Sequence, residues 1–219
     1  MNKRTYFGGV ALVCGAILGA AALNAQDAGN APAMSPEEQA MMEKWMEYAT
    51  PGAHHEHLAK KVGTWDLEIS HWMAPGAPPE TSVATAEISM ILGDRYLLEH
   101  VQGTTMGMPF EGFGVTGYDN ALKVYQNIWI DNFGTGMMTG DAKIVGDDKM
   151  EGWSELIDPM TGGPMKMHSV GTDMGDDKFM FEMFTVMPDG SEIADETVAI
   201  IDAEGNFVVV AEDVDVSED

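Results

Sequence analysis

The chain has 219 residues, with 36 acidic side chains against 11 basic ones and a formal net charge of -25. Its 45% hydrophobic content can fill a core, which argues against global disorder. A surface this negative repels phosphates, so nucleic acid and anionic membrane surfaces are poor partners. The single cysteine, Cys14, excludes a disulfide scaffold.

The chain opens with Lys3 and Arg4, an apolar run from Tyr6 to Leu23, and the small-residue sequence Leu23-Asn24-Ala25-Gln26. That order is the pattern of a secretory signal peptide, so residues 1–25 are read as a leader cleaved after Ala25. An uncleaved anchor is the alternative, since the run approaches bilayer length. Cys14 sits behind Ala11-Leu12-Val13, a poor lipoprotein box. Cleavage removes Lys3, Arg4 and the cysteine but no acid, which takes the net charge from -25 to about -27. The expected address is the periplasm or the exterior, where a cysteine-free chain needs no redox chemistry.

Residues 26–34 are small and polar and are read as a linker. Residues 35–62 are read as one or two short helices. Ser35 caps the first, Pro36 suits its first position, and Glu38 completes a capping box. Met41, Met42, Trp45, Met46 and Ala49 fall at helical spacing, and Thr50-Pro51-Gly52 stops the run. A second helical stretch spans His54 to Val62 and ends at Gly63.

From Trp65 the texture is β. Strands are predicted near 64–73, 82–92, 95–105, 110–118, 123–131, 135–145, 149–157, 165–174, 178–187, 193–201 and 206–212. They recur roughly every ten to fifteen residues between Gly, Pro, Asn and Asp clusters. Asp119-Asn120 and Pro188-Asp189-Gly190 supply turn chemistry. No helical pattern interrupts the run, so nearest-neighbour antiparallel hairpins are expected, closed into a barrel or packed as a sandwich. The last residues, 213–219, form an acidic tail.

The phrases His57-Leu58, Val62-Gly63-Thr64-Trp65 and Leu92-Gly93-Asp94-Arg95-Tyr96-Leu97 come in that order. They are followed by Gly107-Met108-Pro109-Phe110-Glu111-Gly112-Phe113-Gly114, Gly117-Tyr118-Asp119-Asn120, Tyr125 and Trp129-Ile130-Asp131. Together, over roughly Gly52 to Ile201, they resemble the uncharacterised bacterial family DUF1579. The resemblance implies a mostly β protein: a single antiparallel lipocalin-like barrel of about ten strands over residues 63–212, behind one or two short helices. It implies no reaction and no cofactor. By the same likeness Trp65 would plug the closed end of the barrel with a cation stacked on it. Arg95, the only arginine outside the leader, is the candidate for that stack or for a carboxylate clamp.

The hairpin over 110–131 carries the most chemistry. A loop at Asp119 to Leu122 would set Tyr118 opposite Lys123. Strand alternation then gathers Phe110, Gly112, Gly114, Thr116, Tyr118, Tyr125, Asn127, Trp129 and Asp131 on one face. Glu111, Phe113, Val115, Gln126, Ile128 and Ile130 take the other. The first face combines glycines, rings and a few polar groups, as a ligand cavity does. It equally suits rings that merely cover glycines where the sheet bends. Either face could point inward.

The expected function is an exported barrel that binds a small, mostly apolar molecule with a polar end. Trp65, Arg95, Tyr118, Tyr125, Asn127, Trp129 and Asp131 are its candidate ligand residues. A metal or haem protein using His54, His57 or His168 is the alternative, because His54 and His57 share a helix face and His168 could reach a haem iron if its strand face points inward. An enzyme of unknown reaction using Asp131 or Arg95 is the third reading. The 19 methionines include Met106-x-Met108, Met165-x-Met167 and Met180-x-x-Met183. They are read as core or cavity lining rather than copper ligands. Gly112-x-Gly114-x-x-Gly117 matches the letters of a dinucleotide fingerprint but lies inside a strand, which rules that reading out.

Overall fold

The computed structural model describes residues 34–74, 76–175 and 178–201, the last seven of them by backbone alone. The leader, most of the linker, the strand expected at 206–212 and the acidic tail lie outside the described residues.

Two helices precede the sheet: α1 over Pro36–Ala49 and α2 over Ala53–Ala59. The sequence at the start of α1 works as its letters predict. The Glu38 N–H donates to Ser35 Oγ at 3.3 Å, and the Ser35 N–H donates back to Glu38 Oε2 at 2.8 Å. The hydrogen bonds from Ser35 hold the Glu38 carboxyl below its ordinary range. No residue of α1 is buried, so its Met and Trp stripe is not core. α2 starts differently: the Gly52 N–H donates to His55 Nδ1 at 3.0 Å. This ties the helix start to a histidine that is itself buried, and Leu58 beside it is 2% exposed.

Ten strands follow: β1 (Gly63–His71), β2 (Glu80–Ile91), β3 (Tyr96–Thr105), β4 (Met108–Asp119) and β5 (Val124–Asp131), then β6 (Met138–Val145), β7 (Lys149–Ile157), β8 (Pro164–Asp173), β9 (Phe179–Val186) and β10 (Glu192–Ile201). Each pairs antiparallel with the next, and β10 pairs back onto β1, with Asp66 opposite Ile201. The molecule is therefore mostly β, its ten strands curled so that the pairing order runs round a ring.

One register parity carries from β1 to β9, and it decides which side chains face inward. Trp65, Leu67 and Ile69 stand opposite Ala86, Ala84 and Ser82. Ala86 stands opposite Val101, Val101 opposite Gly112, and Gly112 opposite Asp131. The buried core lies on this face: Leu58, Leu67, Ile69, Ala84, Ala86, Ile88, Leu97, Val101 and Tyr125. Each large aliphatic side chain there contributes about 1.5–3 kcal/mol by leaving water. The core is concentrated on β1 to β3 and α2, with Tyr125 added from β5. The inward side chains of β9 (Phe179, Phe181, Met183 and Thr185) are only half-buried.

The hairpin β4–β5 settles two open points. Its pairs are Tyr118–Tyr125 and Asp119–Val124, two residues on from the predicted Tyr118–Lys123. The Asp119 carboxylate accepts from the Ala121 and Leu122 N–H groups, and Lys123 takes φ 60° to close the turn. A shift of two preserves the alternation, so the predicted faces hold. The glycine and aromatic face is the inward one: Tyr125 is 2% exposed, whereas Ile128 is 41% exposed.

Gly112 is required by close approach. A Cβ there would strike the Trp129 ring, which lies across the glycine. Gly112→Val should cost about 1–3 kcal/mol by overpacking and lower the melting temperature by several degrees. Gly136→Ala, where an added Cβ meets nothing within 4 Å, should change neither by more than about 0.5 kcal/mol. Thermal unfolding followed by circular dichroism compares the two.

α2 generates a pH prediction. Burial first, then the nearby His54 and Arg95 charges, push the His55 imidazole below its ordinary value of 6.5. Burial, Lys61 and Lys60 do the same to His57. The unfolded chain therefore binds more protons than the folded one, and stability rises with pH in this range. The contribution is fully present above 6.5 and is lost as pH falls from 6.5 toward the folded values. Protonation of His55 Nδ1 also removes the acceptor that caps α2, worth about 1 kcal/mol. His55→Asn keeps an acceptor that does not titrate. Its stability should fall less steeply than wild type between pH 6.5 and 5 in denaturant titrations.

Candidate functional site

α2 packs against β3 and β4 at one end of the sheet. Lys60, Lys61 and Val62 lead from α2 into β1, and the Trp65 Nε1–H donates to the Lys61 carbonyl at 2.9 Å. The Lys61 side chain reaches the inner face. Its Nζ stands 3.7 Å from the centroid of the Phe179 ring, an inward residue of β9. The Phe179 ring in turn lies over Gly171 of β8, where a Cβ would stand 2.7 Å from its Cζ. Across the interior, Glu99 of β3 points inward between Ile88 and Gly114, its two cross-strand neighbours.

Lys61 and Glu99 are enclosed by protein on nearly all sides, yet both keep part of their surface accessible. Burial pushes the Lys61 ammonium down, opposed by the charges of Glu99 and Asp173. Burial pushes the Glu99 carboxyl up, opposed by Lys61 alone. Among the described residues neither group makes a hydrogen bond or a contact ion pair. A buried charge without such partners is costly unless water or a ligand meets it.

A ring cluster sits beside them. His54 Nδ1 and the Tyr125 hydroxyl are 2.9 Å apart, and His54 stacks on Tyr118 at 3.8 Å. Burial, then Tyr118, pushes the Tyr125 phenol up to about 12, so it stays protonated. Toward the other end, the Trp129 Nε1–H donates to Asp131 Oδ2 at 3.0 Å, and Asp131 Oδ1 accepts from the Phe133 N–H. Each carboxylate oxygen of Asp131 thus accepts one hydrogen bond from its own hairpin. Methionines fill much of the remaining inner wall: Met138, Met150, Met165, Met167 and Met183 all take inward register positions.

Six of the seven residues expected at a ligand site share this inner face: Trp65, Tyr118, Tyr125, Asn127, Trp129 and Asp131. Tyr125 is part of the packed core, and Trp129 covers glycines; Asn127 stays half-buried opposite Thr116. Arg95 is a correction. It lies exposed in the β2–β3 turn, and its guanidinium donates to the carbonyls of Ala49, Leu92 and Gly93. Among the described residues it stacks on no ring and clamps no carboxylate, and its three hydrogen bonds go to backbone acceptors. The cation at this end of the interior is Lys61.

His168 is a second correction. Its register places it on the outer face of β8, stacked on Trp153 at 4.4 Å and paired with Glu192 at 3.0 Å. It therefore cannot offer an inward ligand to a haem, and it does not join His54 and His57. Among the described residues, no three His, Cys, Asp or Glu side chains converge as metal ligands do. Of the methionine pairs, Met165 and Met167 share the inner face, Met180 and Met183 split between faces, and Met106 and Met108 are exposed at a turn.

Reading residues singly missed Lys61, Glu99, Asp173 and Phe179. Lys60-Lys61 looks like a solvated helix end, and Glu99 is one acid among many. One signal was available. Alternation in Leu97-Leu98-Glu99-His100-Val101 puts Glu99 between Leu97 and Val101, on the face that the core demands. A groove of about 1030 Å³ also exists on the outer side of β4 to β8, beside Val115, Gln126, Ile128, Asp141 and Trp153. It has no deeply enclosed charged group of the kind found inside.

A family model described as "Protein of unknown function (DUF1579)" matches residues 50–197. No curated protein matches the sequence. Among solved structures, the crystal structure of Rv2717c from M. tuberculosis is similar, with a TM-score of 0.51 and 12% identity over 70% of this chain and 99% of that one. A redesigned β-barrel shares 18% identity over 66% of this chain and 92% of its own, but its TM-score of 0.35 carries no argument. At 12% identity the likeness to Rv2717c concerns the fold alone. The family match spans well over half of the sequence and takes in α2 with Lys61, β3 with Glu99 and the β4–β5 hairpin: the chain belongs to the DUF1579 family.

Proposed function

We propose that this protein is an exported, lipocalin-type barrel that binds a small, mostly apolar molecule in its interior. The observation that carries the reading is the state of Lys61 and Glu99. Both are walled in by protein, both still border accessible space, and neither has a hydrogen-bond partner among the described residues. A solidly packed interior would have left neither arrangement standing. The rest of the inner wall suits an apolar guest. Half-buried Phe110, Trp129, Met150, Phe179, Phe181 and Met183 offer rings and thioethers, and thioethers adapt to irregular shapes. Trp65, Tyr118, Asn127 and Asp131 stand at the margins of that surface, where they would fix orientation. The leader at residues 1–25 supports delivery of the folded chain to the periplasm or the medium.

Two outcomes are expected. Environment-sensitive fluorescent fatty-acid, sterol and aromatic probes should show saturable binding of at least one class. Ser169→Phe, which sends a ring from the inner face of β8 into the hollow, should weaken that binding about tenfold or more. Val83→Lys on the outer face should leave it unchanged, since Val83 is 69% exposed. Equal binding by both variants, at unchanged melting temperature, would place the probe outside the interior. Separately, intact-mass measurement of the protein recovered from the periplasm or the medium should give a chain that begins at Gln26. A chain retaining residues 1–25 in the membrane would contradict export of a soluble form.

A further inference from the structure

We infer that the ligand carries a carboxylate, or an anion of the same shape, and that Lys61 receives it while Glu99 holds a proton. This rests on the interior-binding reading above and adds the chemistry of the bound end.

The two charged groups are not equivalent. The Lys61 ammonium has support that does not depend on Glu99: the Phe179 ring 3.7 Å away and the charge of Asp173 at the end of β8. Among the described residues, the favourable charge near Glu99 is that of Lys61. Gly114 lets the carboxyl lie close to the wall, since a Cβ there would come within 3.3 Å of Glu99 Oε2. Protein thus backs both groups, and each has hydrogen-bonding capacity to spare.

An incoming carboxylate satisfies Lys61 with a charge-assisted hydrogen bond, the strongest available in a site of low polarity. It also takes over the countercharge that kept Glu99 ionised. Two carboxylates around one ammonium would leave a net negative charge in an apolar enclosure, which burial opposes. Glu99 then accepts a proton and becomes a donor to the same ligand. The balance is one ammonium, one carboxylate and one neutral acid, and binding consumes one proton from water. An amine ligand reverses the roles and must discharge Lys61, against Phe179 and Asp173. A neutral alcohol supplies one acceptor and leaves the ammonium unpaired. Among the described residues, the other titratable groups at this end are His54, His55 and His57 on α2, Lys60 just after it, Tyr118 on β4, Tyr125 on β5 and Asp173 on β8. A Glu99 variant separates its contribution from theirs.

Calorimetric titration of the full mature chain with decanoate, decanol and decylamine tests the inference. Decanoate should bind about tenfold or more tightly than decanol at pH 7, and decylamine should bind no better than decanol. Lys61→Met should bring decanoate and decanol within about threefold of each other, and Lys61→Arg should restore the preference. Melting temperatures near wild type show that both variants fold. In wild type, decanoate affinity should fall as pH rises from 6 to 9, with proton uptake visible in buffers of different ionisation enthalpy. Glu99→Gln should keep the preference and lose most of that pH dependence. Decanol binding as well as decanoate, or decylamine binding better, overturns the inference while leaving interior binding intact. A preference that survives Lys61→Met overturns it as well. If none of the three binds, the interior-binding reading falls, and this one falls with it.

Discussion

A β-strand sends alternate side chains to opposite sides, and here one alternation runs unbroken through every ladder from β1 to β9. The inner and outer surfaces therefore follow from a single parity. A slip of one residue at any ladder would turn Tyr125 and Trp129 out to solvent and bring Gln126 and Ile130 in. The irregularity recorded in the ring falls late, between Ala194 and Glu196 where β10 meets β9. A bulge there shifts the backbone pairing of the final strand by one residue. The glycines opposite the largest rings serve the same end. Gly112 and Gly114 take Trp129, Gly117 takes Tyr96, and Gly171 takes Phe179, so bulk on one strand meets its absence on the next.

That parity brings a lysine and a glutamate into a region otherwise built from rings, aliphatics and thioethers. Removing such a pair from water costs several kcal/mol per ion unless hydrogen bonds make up the loss. The protein spends little polar chemistry on them: an aromatic face for Lys61, a cleared glycine for Glu99. By contrast, polar groups elsewhere at this end are matched. The Trp65 indole finds a carbonyl, His54 finds Tyr125, and His55 finds the Gly52 amide. Among the described residues, those paired groups contrast with the Lys61 and Glu99 side chains, which make no hydrogen bond, and this contrast is what supports the proposed reading.

Much of the wall was legible in the sequence, because strands, turns and alternation are local signals. The Ser35–Glu38 box, the Asp119 turn and the split of the β4–β5 hairpin into a ring-bearing and an aliphatic face all came from residues close together in the chain. The hairpin also shows how a wrong register can still give right faces. Its turn, Asn120 to Lys123, is set one residue further along than Asp119 to Leu122 suggested; that moves each cross-strand partner by two, and an even shift moves partners without moving sides. What did not show was the meeting of distant elements. Arg95 looked like an interior cation by scarcity alone, but its short path to the carbonyls of Ala49, Leu92 and Gly93 is a property of one turn folded against another segment. Lys61 looked like solvent-facing helix end, and only the packing of β9 across from β3 brings Phe179 and Glu99 to it. His168 carried the right chemistry on the wrong side of its strand.

The exterior and interior charges work on different length scales, and this bears on how an anion could reach Lys61. With a formal charge of -25 the molecule as a whole repels anions. At physiological salt that repulsion fades over about 8 Å, so it acts mainly on approach to the surface and weakly within a protein-lined interior. Inside, the low polarity that makes Lys61 hard to charge also magnifies its attraction for a carboxylate that has already shed its water. Under the reading proposed above, the apolar part of a ligand would supply the free energy of transfer, at about 0.8 kcal/mol for each buried CH₂. A short anion such as acetate would lack that term. An amphipathic acid would have both terms, and a lysine in so acidic a protein would then select for chain length as well as for head group.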